Sequence, residues 1–199
     1  KVHEALRKLH GNISEEDLIP EKDIIASMKK YGEGITEETI SDDVARSWLN
    51  ISKVINSNAL GEWGYFYSPN IRPRGVKDLA FLVFRKEGSP MHFLEVAKKI
   101  ASYFVREAHP ATVHNELIKD DRFVLVGRGI YALKEWGYRF GTVRDVIMHI
   151  IKSEKIPVAK DDIIKRVLKE RYVKENTILV NLQNRQYFRR NKGGKYLIA

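Results

Sequence analysis

Apolar residues three and four apart run through most of this chain, interrupted by short stretches rich in β-branched and aromatic residues. The first spacing is that of a helix with one buried face, and the second pattern is that of a strand. Residues 1–10 carry Val2, Ala5, Leu6 and Leu9 on one side of a short helix. Ser14, followed by Glu15, Glu16 and Asp17, has the form of an N-cap with an acidic first turn. Residues 20–31 place Ile24, Ile25 and Met28 at helical spacing, and Gly32 and Gly34 are expected to stop that helix. Thr36 then caps a helix over 37–49, with Ile40, Val44 and Leu49 as its buried stripe and Trp48 beside it. Residues 51–55 and 63–67 read as strands joined by an Asn-rich turn over 56–61. Residues 68–75, with Pro69, Pro73 and Gly75, read as a linker.

The pattern then starts again. A helix over 76–86 turns Leu79, Leu82 and Val83 inward, 90–93 is a short extended piece, and 94–106 is a second helix with Val96, Ile100 and Phe104 apolar. Pro110 suits the first turn of a third helix, where its missing N–H costs nothing. Val113 and Leu117 share one face of that helix. Two short strands, 123–126 and 130–133, flank Gly127-Arg128-Gly129 and make a hairpin. A closely similar unit follows sixty-five residues on, with Thr112 matched by Thr177, Val113 by Ile178, Leu117 by Leu182, Phe123 by Phe188, Gly129 by Gly194 and Tyr131 by Tyr196. Trp136, Gly137, Tyr138 and Gly141 form the linker between the two. In the last unit the helices are expected over 143–153, 161–171 and 174–184, and the hairpin over 187–190 and 195–198 around a turn at 191–194. Asp145 falls on Asp78 and Pro157 on Pro90 in this register. Helices followed by a hairpin are the parts of a winged helix, and the register match indicates duplication.

The expected class is therefore mainly α with small β-hairpins (α+β), as tandem winged helix-turn-helix modules. An acidic winged-helix-like domain spans 1–70, a second winged helix 71–138, and a basic one 139–199. At 199 residues each would lie near the lower size limit for a self-sufficient core. There is no Cys, which excludes disulfides and cysteine–metal sites. The sequence has no apolar run of membrane-spanning length and no signal-peptide pattern. It opens on Lys1 and not on Met, which fits a fragment or a processed product.

Charge sharpens the picture because it is uneven. Residues 1–70 have a net charge of −4, 71–140 of +5 and 141–199 of +8, together the +9 of the whole chain. A basic back half asks for a polyanion, and an acidic front for a different partner or none.

Catalytic chemistry finds little footing. The histidines, at positions 3, 10, 92, 109, 114 and 149, lack the spacing of a metal pair on a helix. Gly127-Arg128-Gly129 lies between two strands, so it reads as a hairpin turn and not as a phosphate-binding loop. The acidic pairs Asp120-Asp121 and Asp161-Asp162 sit at helix ends, where capping is common. The expectation is no enzyme, no metal, no cofactor and no small-molecule substrate.

Duplex DNA is the expected partner instead. In the last unit Ile178 and Leu182 bury one face of the third helix, while Asn176, Thr177, Asn181 and Asn184 collect on the other, between Lys174 and Arg185. Asn pairs bidentately with adenine in the major groove. The hairpin adds Arg189, Arg190, Lys192 and Lys195 around Gly193-Gly194, a basic tip that can reach a backbone or minor groove. The equivalent helix of the second unit offers Thr112, Asn115 and Lys119, with Arg128 in the wing. There Glu116, Asp120 and Asp121 oppose phosphates, so that unit binds weakly or contacts protein.

Residues 76–138 resemble the HARE-HTH family, a winged helix found in the RNA polymerase delta subunit, chromatin proteins and restriction-system proteins. The resemblance is carried by Pro90-Met-His-Phe93, Val96-Ala97, His109-Pro-Ala-Thr-Val-His114, Leu117, residues 120–123, Val126-Gly-Arg-Gly-Ile-Tyr-Ala-Leu133 and Trp136. Residues 50–199 as a whole look like bacterial proteins in which this domain follows a sigma-factor region-four-like helix-turn-helix. The resemblance implies non-catalytic DNA binding linked to transcription, with RNA polymerase as a second partner, in the cytoplasm on the nucleoid. Two alternatives remain open: a module that docks on RNA polymerase, and the DNA-targeting part of a restriction or defence system.

Overall fold

A computed structural model of the chain describes residues 2–14, 18–36, 40–154 and 156–199. The chain divides into two compact units, one made of 1–82 with 100–106 and the other of 83–99 with 107–199. That division follows compactness, whereas the boundary between 71–138 and 139–199 follows the sequence repeat and 1–70 is set off by its element order and charge. Among the described residues no helix is long and apolar enough to cross a membrane.

In the first unit, α1 (Val2–His10), α2 (Glu21–Thr36) and α3 (Asp42–Ile51) precede a small antiparallel sheet. β1 (Ile19–Pro20) and β2 (Ile55–Ser57) flank β3 (Glu62–Tyr65) in the order β1-β3-β2. The core joins Ala5, Leu6 and Leu9 to Ile24, Ile25, Met28, Ala45, Leu49, Ile55 and Trp63. Trp63 is thus a packing residue.

Several expectations change here. α2 does not stop at Gly32 or Gly34 but runs through both. Gly32 is there for clearance: a Cβ on it would collide with Ile40 Cδ1 and lie 2.8 Å from Trp48 Cζ3. Ser41, not Thr36, caps α3, accepting a hydrogen bond from Val44 N at 3.3 Å. The expected helix start at 37–39 and the acidic turn at 15–17 lie outside the described residues. Ile51 ends α3 and is not in a strand. Val44 is 42% exposed, so the buried stripe runs through Ala45 and Leu49 instead. The stretch 68–75 is also no free linker. Ile71 is buried, and Asn58 Nδ2, itself inside, donates to Asn70 O at 3.1 Å.

α4 (Val76–Glu87) and α5 (Phe93–Phe104) each have residues in both units. In α4, Ala80, Phe81 and Phe84 are buried as well as the expected Leu79, Leu82 and Val83. A helix buried on every side shows no single apolar stripe, which is why three of its six core residues escape a periodic reading.

The second unit continues with β4 (Met91–His92), α6 (Pro110–Lys119), β5 (Phe123–Gly127) and β6 (Ile130–Leu133), in sheet order β4-β6-β5. Gly129 takes φ 69° in the turn, a conformation that favours Gly. Then come α7 (Val143–Glu154), α8 (Lys160–Glu170), α9 (Glu175–Leu182) and the hairpin of β7 (Phe188–Arg190) with β8 (Tyr196–Ile198). Val158 forms an antiparallel bridge with Tyr196, its N–H donating to Tyr196 O at 2.9 Å and its O accepting from Tyr196 N at 2.8 Å. The last core gathers Val146, Ile147, Ile150, Ile163, Val167, Ile178, Leu182 and Phe188. Leu168 stands at helical spacing from Ile164 in the sequence, yet it is 44% exposed.

The stretch after β6 is packed too. Trp136 and Tyr138 lie on Val124, Val126 and Ala132. Arg171, almost fully buried, donates from Nη2 to Arg139 O at 2.6 Å and Gly141 O at 3.2 Å. Tyr172 N donates to Val126 O at 2.7 Å, so Tyr172 extends the open edge of β5 beside Gly127.

Two glycines give a test. A Cβ on Gly127 would stand 2.7 Å from Tyr172 O, a backbone atom that cannot step aside alone. Gly32→Ala and Gly127→Ala are each expected to lower stability by about 1–3 kcal/mol through overpacking. Helix propensity alone would make Gly32→Ala stabilising by about 1 kcal/mol. Urea denaturation of the full chain measures the sign.

Candidate nucleic-acid interface

The third helices, α3, α6 and α9, bury the same two positions four residues apart: Ala45 and Leu49, Val113 and Leu117, Ile178 and Leu182. With about 100° between successive residues, the centre of each outer face falls two residues after the first of the pair. Those centres are Ser47, Asn115 and Val180, all exposed.

α9 starts after Lys174, an exposed N-cap residue without a side-chain capping bond. Asn176 and Thr177 are exposed on the outer face with Val180. Asn181 is on the margin, half-buried, and its Nδ2 donates to Thr177 O at 2.8 Å. α9 ends at Leu182, so Asn184 lies past the helix that was expected to hold it. Its side-chain Oδ1 accepts from Gln186 N at 3.1 Å and shapes the turn into the hairpin. Arg185 is exposed in that turn.

The wing that follows is ordered by its own hydrogen bonds. Asn191 N donates to Lys195 O at 2.9 Å, Lys195 N to Asn191 Oδ1 at 2.9 Å, and Gly194 N to Asn191 O at 3.0 Å. Arg190 Nε donates to Gly194 O at 3.1 Å, which turns its guanidinium back on the turn. Arg189, Lys192 and Lys195 are exposed. The basic tip is therefore a closed turn, with Arg190 partly structural. Arg144 stacks on Tyr187 just before β7, its Cζ 4.5 Å from the ring centroid.

In α6, Thr112, Asn115 and Lys119 are exposed as expected, and so is Arg128 in the turn. His109 caps the helix through Nδ1, which accepts from Ala111 N at 3.3 Å. Asp120 is bound by Arg122, with Nη2–Oδ2 2.7 Å and Nε–Oδ1 2.9 Å, so its repulsion of phosphate is smaller than the sequence implies. His92 and His114 both stack on Phe93, with centroids 4.5 Å away in each case. Those histidines serve packing.

α3 carries a different surface: Asp43, Val44, Ser47, Asn50 and Ile51 are exposed. Arg46, its one cation, is paired with Glu21 at 3.0 Å and Asp43 at 2.9 Å. Lys29 beside it holds Asp42 at 2.9 Å, and this hydrogen-bonded pairing keeps the Asp42 carboxyl below the usual carboxylate range. Among the described residues, no group of three or more His, Asp or Glu side chains is placed to hold a metal ion.

Two groups, one on the outer face of α9 and one buried, escaped the sequence reading. Val180 was passed over because apolar residues in a helix are read as core. Arg171 drew no role from the sequence, yet burial pushes its guanidinium pKa down and its donors face backbone carbonyls. Its place after the last apolar residue of α8 gave no sign of that.

Residues 74–136 match the HARE-HTH family, whose description names ASXL and a restriction endonuclease HTH domain. The match covers the segment in which the resemblance was read, and its fold is a winged helix-turn-helix of the DNA-binding kind. No curated protein matches the chain.

The geometry separates surface groups from structural ones. Arg171→Ala strips donors from Arg139 O and Gly141 O and is expected to cost about 1–3 kcal/mol. Leu182→Ala opens the core and is expected to cost about 2–5 kcal/mol. Asn176→Ala and Thr177→Ala are expected to change stability by less than about 0.5 kcal/mol, as surface positions do. Thermal unfolding of the four full-length variants checks the order.

Proposed function

We propose that this chain is a non-enzymatic DNA-binding protein of three tandem winged helices, acting in transcription with RNA polymerase as its protein partner. It would work on the nucleoid, in the cytoplasm. The observation that carries the reading is the last module, where a helix presenting Asn176 and Thr177 adjoins a wing presenting Arg189, Lys192 and Lys195. Polar tips for base edges and cations for phosphates are what a duplex reader needs, in that arrangement. The tandem reading is supported by the element order, which returns three times. In each round an extended residue ahead of the second helix pairs with the last strand of the hairpin, as Ile19 with Trp63, Met91 with Tyr131 and Val158 with Tyr196.

The division of labour follows charge. α9 and its wing take DNA, and α6 assists through Thr112, Asn115 and Lys119. α3, acidic and apolar with its cation paired, suits a protein surface, which is the ground for a polymerase partner alongside the family resemblance. A second reading has its own support, because the matched family includes the helix-turn-helix of restriction endonucleases. On that reading the chain would be the DNA-targeting part of a defence system. Co-purification of the full chain with RNA polymerase favours the first reading, and genetic linkage to a nuclease partner favours the second.

DNA binding is expected to weaken steeply as salt rises, because phosphate contacts release counterions. Arg189→Ala and Lys192→Ala are expected to weaken binding to preferred and random duplexes alike. Each should lower the salt slope by about one. Asn176→Ala and Thr177→Ala are expected to cost roughly 1–3 kcal/mol on the preferred site and much less on random DNA. Salt-titrated fluorescence anisotropy on both duplexes measures this. Folded Arg189 and Lys192 variants that bind every duplex as well as the parent would refute the interface.

A further inference from the structure

The outer face of α9 is polar at Asn176 and Thr177 but apolar at its centre, where Val180 is 57% exposed. Val180 is neither in the core of the last module nor among the apolar side chains packed against it. The same central position is Asn115 in α6 and Ser47 in α3, each exposed. Val180 lies about 180° round the helix from the midpoint of Ile178 and Leu182. It therefore sits at the middle of the outer face of α9, on the side turned away from the core. A β-branched residue at an exposed helical position is also a weaker helix former than Ala or Gln, so helix stability does not explain it.

In the major groove the edges of the four bases present donors and acceptors, and a single apolar group, the C5-methyl of thymine. We infer that Val180 is a specificity-determining residue that packs its two γ-methyls against a thymine C5-methyl. Asn176, one turn before Val180, and Thr177 flank it on the same face and supply polar contacts to neighbouring base edges. Asn181 contributes less to that readout, because its amide is already donating to Thr177 O at 2.8 Å. The preferred site thus contains at least one thymine whose methyl group, and not its pairing, is read. The inference rests on α9 being the helix that enters the groove.

The test uses the full chain. Preferred duplexes are selected from a random pool, and each thymine is then replaced singly by deoxyuridine, which removes the methyl group and keeps the base pair. For the parent, one such replacement is expected to weaken binding about fourfold, the gain from burying one methyl-sized group. Val180→Ala is expected to bind the thymine duplex about fourfold more weakly and to lose the thymine–uracil difference at that position. Ala is the better helix former, so this variant keeps its fold, which circular dichroism verifies. Val180→Thr, of similar shape but with one γ-methyl, is expected to fall between. The inference is overturned if the parent binds a preferred duplex with no methyl dependence at any thymine. It is equally overturned if Val180→Ala keeps the parent's thymine–uracil ratio. In both cases the DNA-binding reading stands. If the parent selects no duplex at all, that reading falls and takes the inference with it.

Discussion

The architecture depends on a very small backbone interaction: one extended residue, placed just ahead of a helix, paired with the last strand of a hairpin. At the end of the chain it amounts to two hydrogen bonds between Val158 and Tyr196, of 2.9 and 2.8 Å. Met91 holds the same relation to Tyr131 and Ile19 to Trp63. A two-stranded hairpin alone is marginal in water. The added residue gives it a third strand or bridge and ties it to the helical layer. Phe188 then lies with Ile178 and Leu182 in one core, so the buried face of α9 and the root of the wing are fixed together. What remains free is the outer face of the helix and the tip of the turn, the two surfaces that a duplex reader needs.

Much of this was legible in the sequence, and what was not has a common cause. Helix positions came from spacing, and turn positions from Gly129 and Gly194, whose φ values of 69° and 78° favour Gly in the turn. The recurrence at sixty-five residues showed that two hairpins follow the same kind of helix. The misreadings arise where a residue answers to a neighbour distant in sequence. Gly32 looks like a stop signal, but it is small because Trp48 and Ile40 lie against it. Val158 carries no strand pattern, because a bridge of one residue has no period. Val44 and Leu168 sit at apolar spacing yet face outward, since three-and-four spacing alone does not say where the buried stripe ends.

The candidate site shows the same limit in side-chain chemistry. Asn176, Thr177, Asn181 and Asn184 look equivalent as letters. In the fold, Asn176 and Thr177 face outward, Asn181 is engaged with the helix backbone, and Asn184 belongs to a turn. Arg189 and Arg190 are neighbours of identical type. β alternation separates them, and Arg190 closes the turn through Gly194 O. Charge density reads correctly at the scale of a module, but the assignment of individual contacts needs the hydrogen bonds.

The two glycines of Gly127-Arg128-Gly129 serve different ends, and the difference bears on how 107–199 works. Gly129 supplies a positive φ. Gly127 supplies room, because Tyr172 comes close enough to place its carbonyl oxygen 2.7 Å from where a Cβ would stand. An open sheet edge invites association with other chains, and here β5 has its edge taken by the chain itself through the bond from Tyr172 N to Val126 O. Arg171, next in sequence, is held by the carbonyls of Arg139 and Gly141. The junction between the β5–β6 hairpin and α7–α9 is thereby built from backbone hydrogen bonds and a buried guanidinium, not from a flexible tether. On the proposed reading, in which α9 reads DNA and α6 supports it, such a junction lowers the cost of binding, because ordering the two helices is settled on folding and need not be repeated on binding.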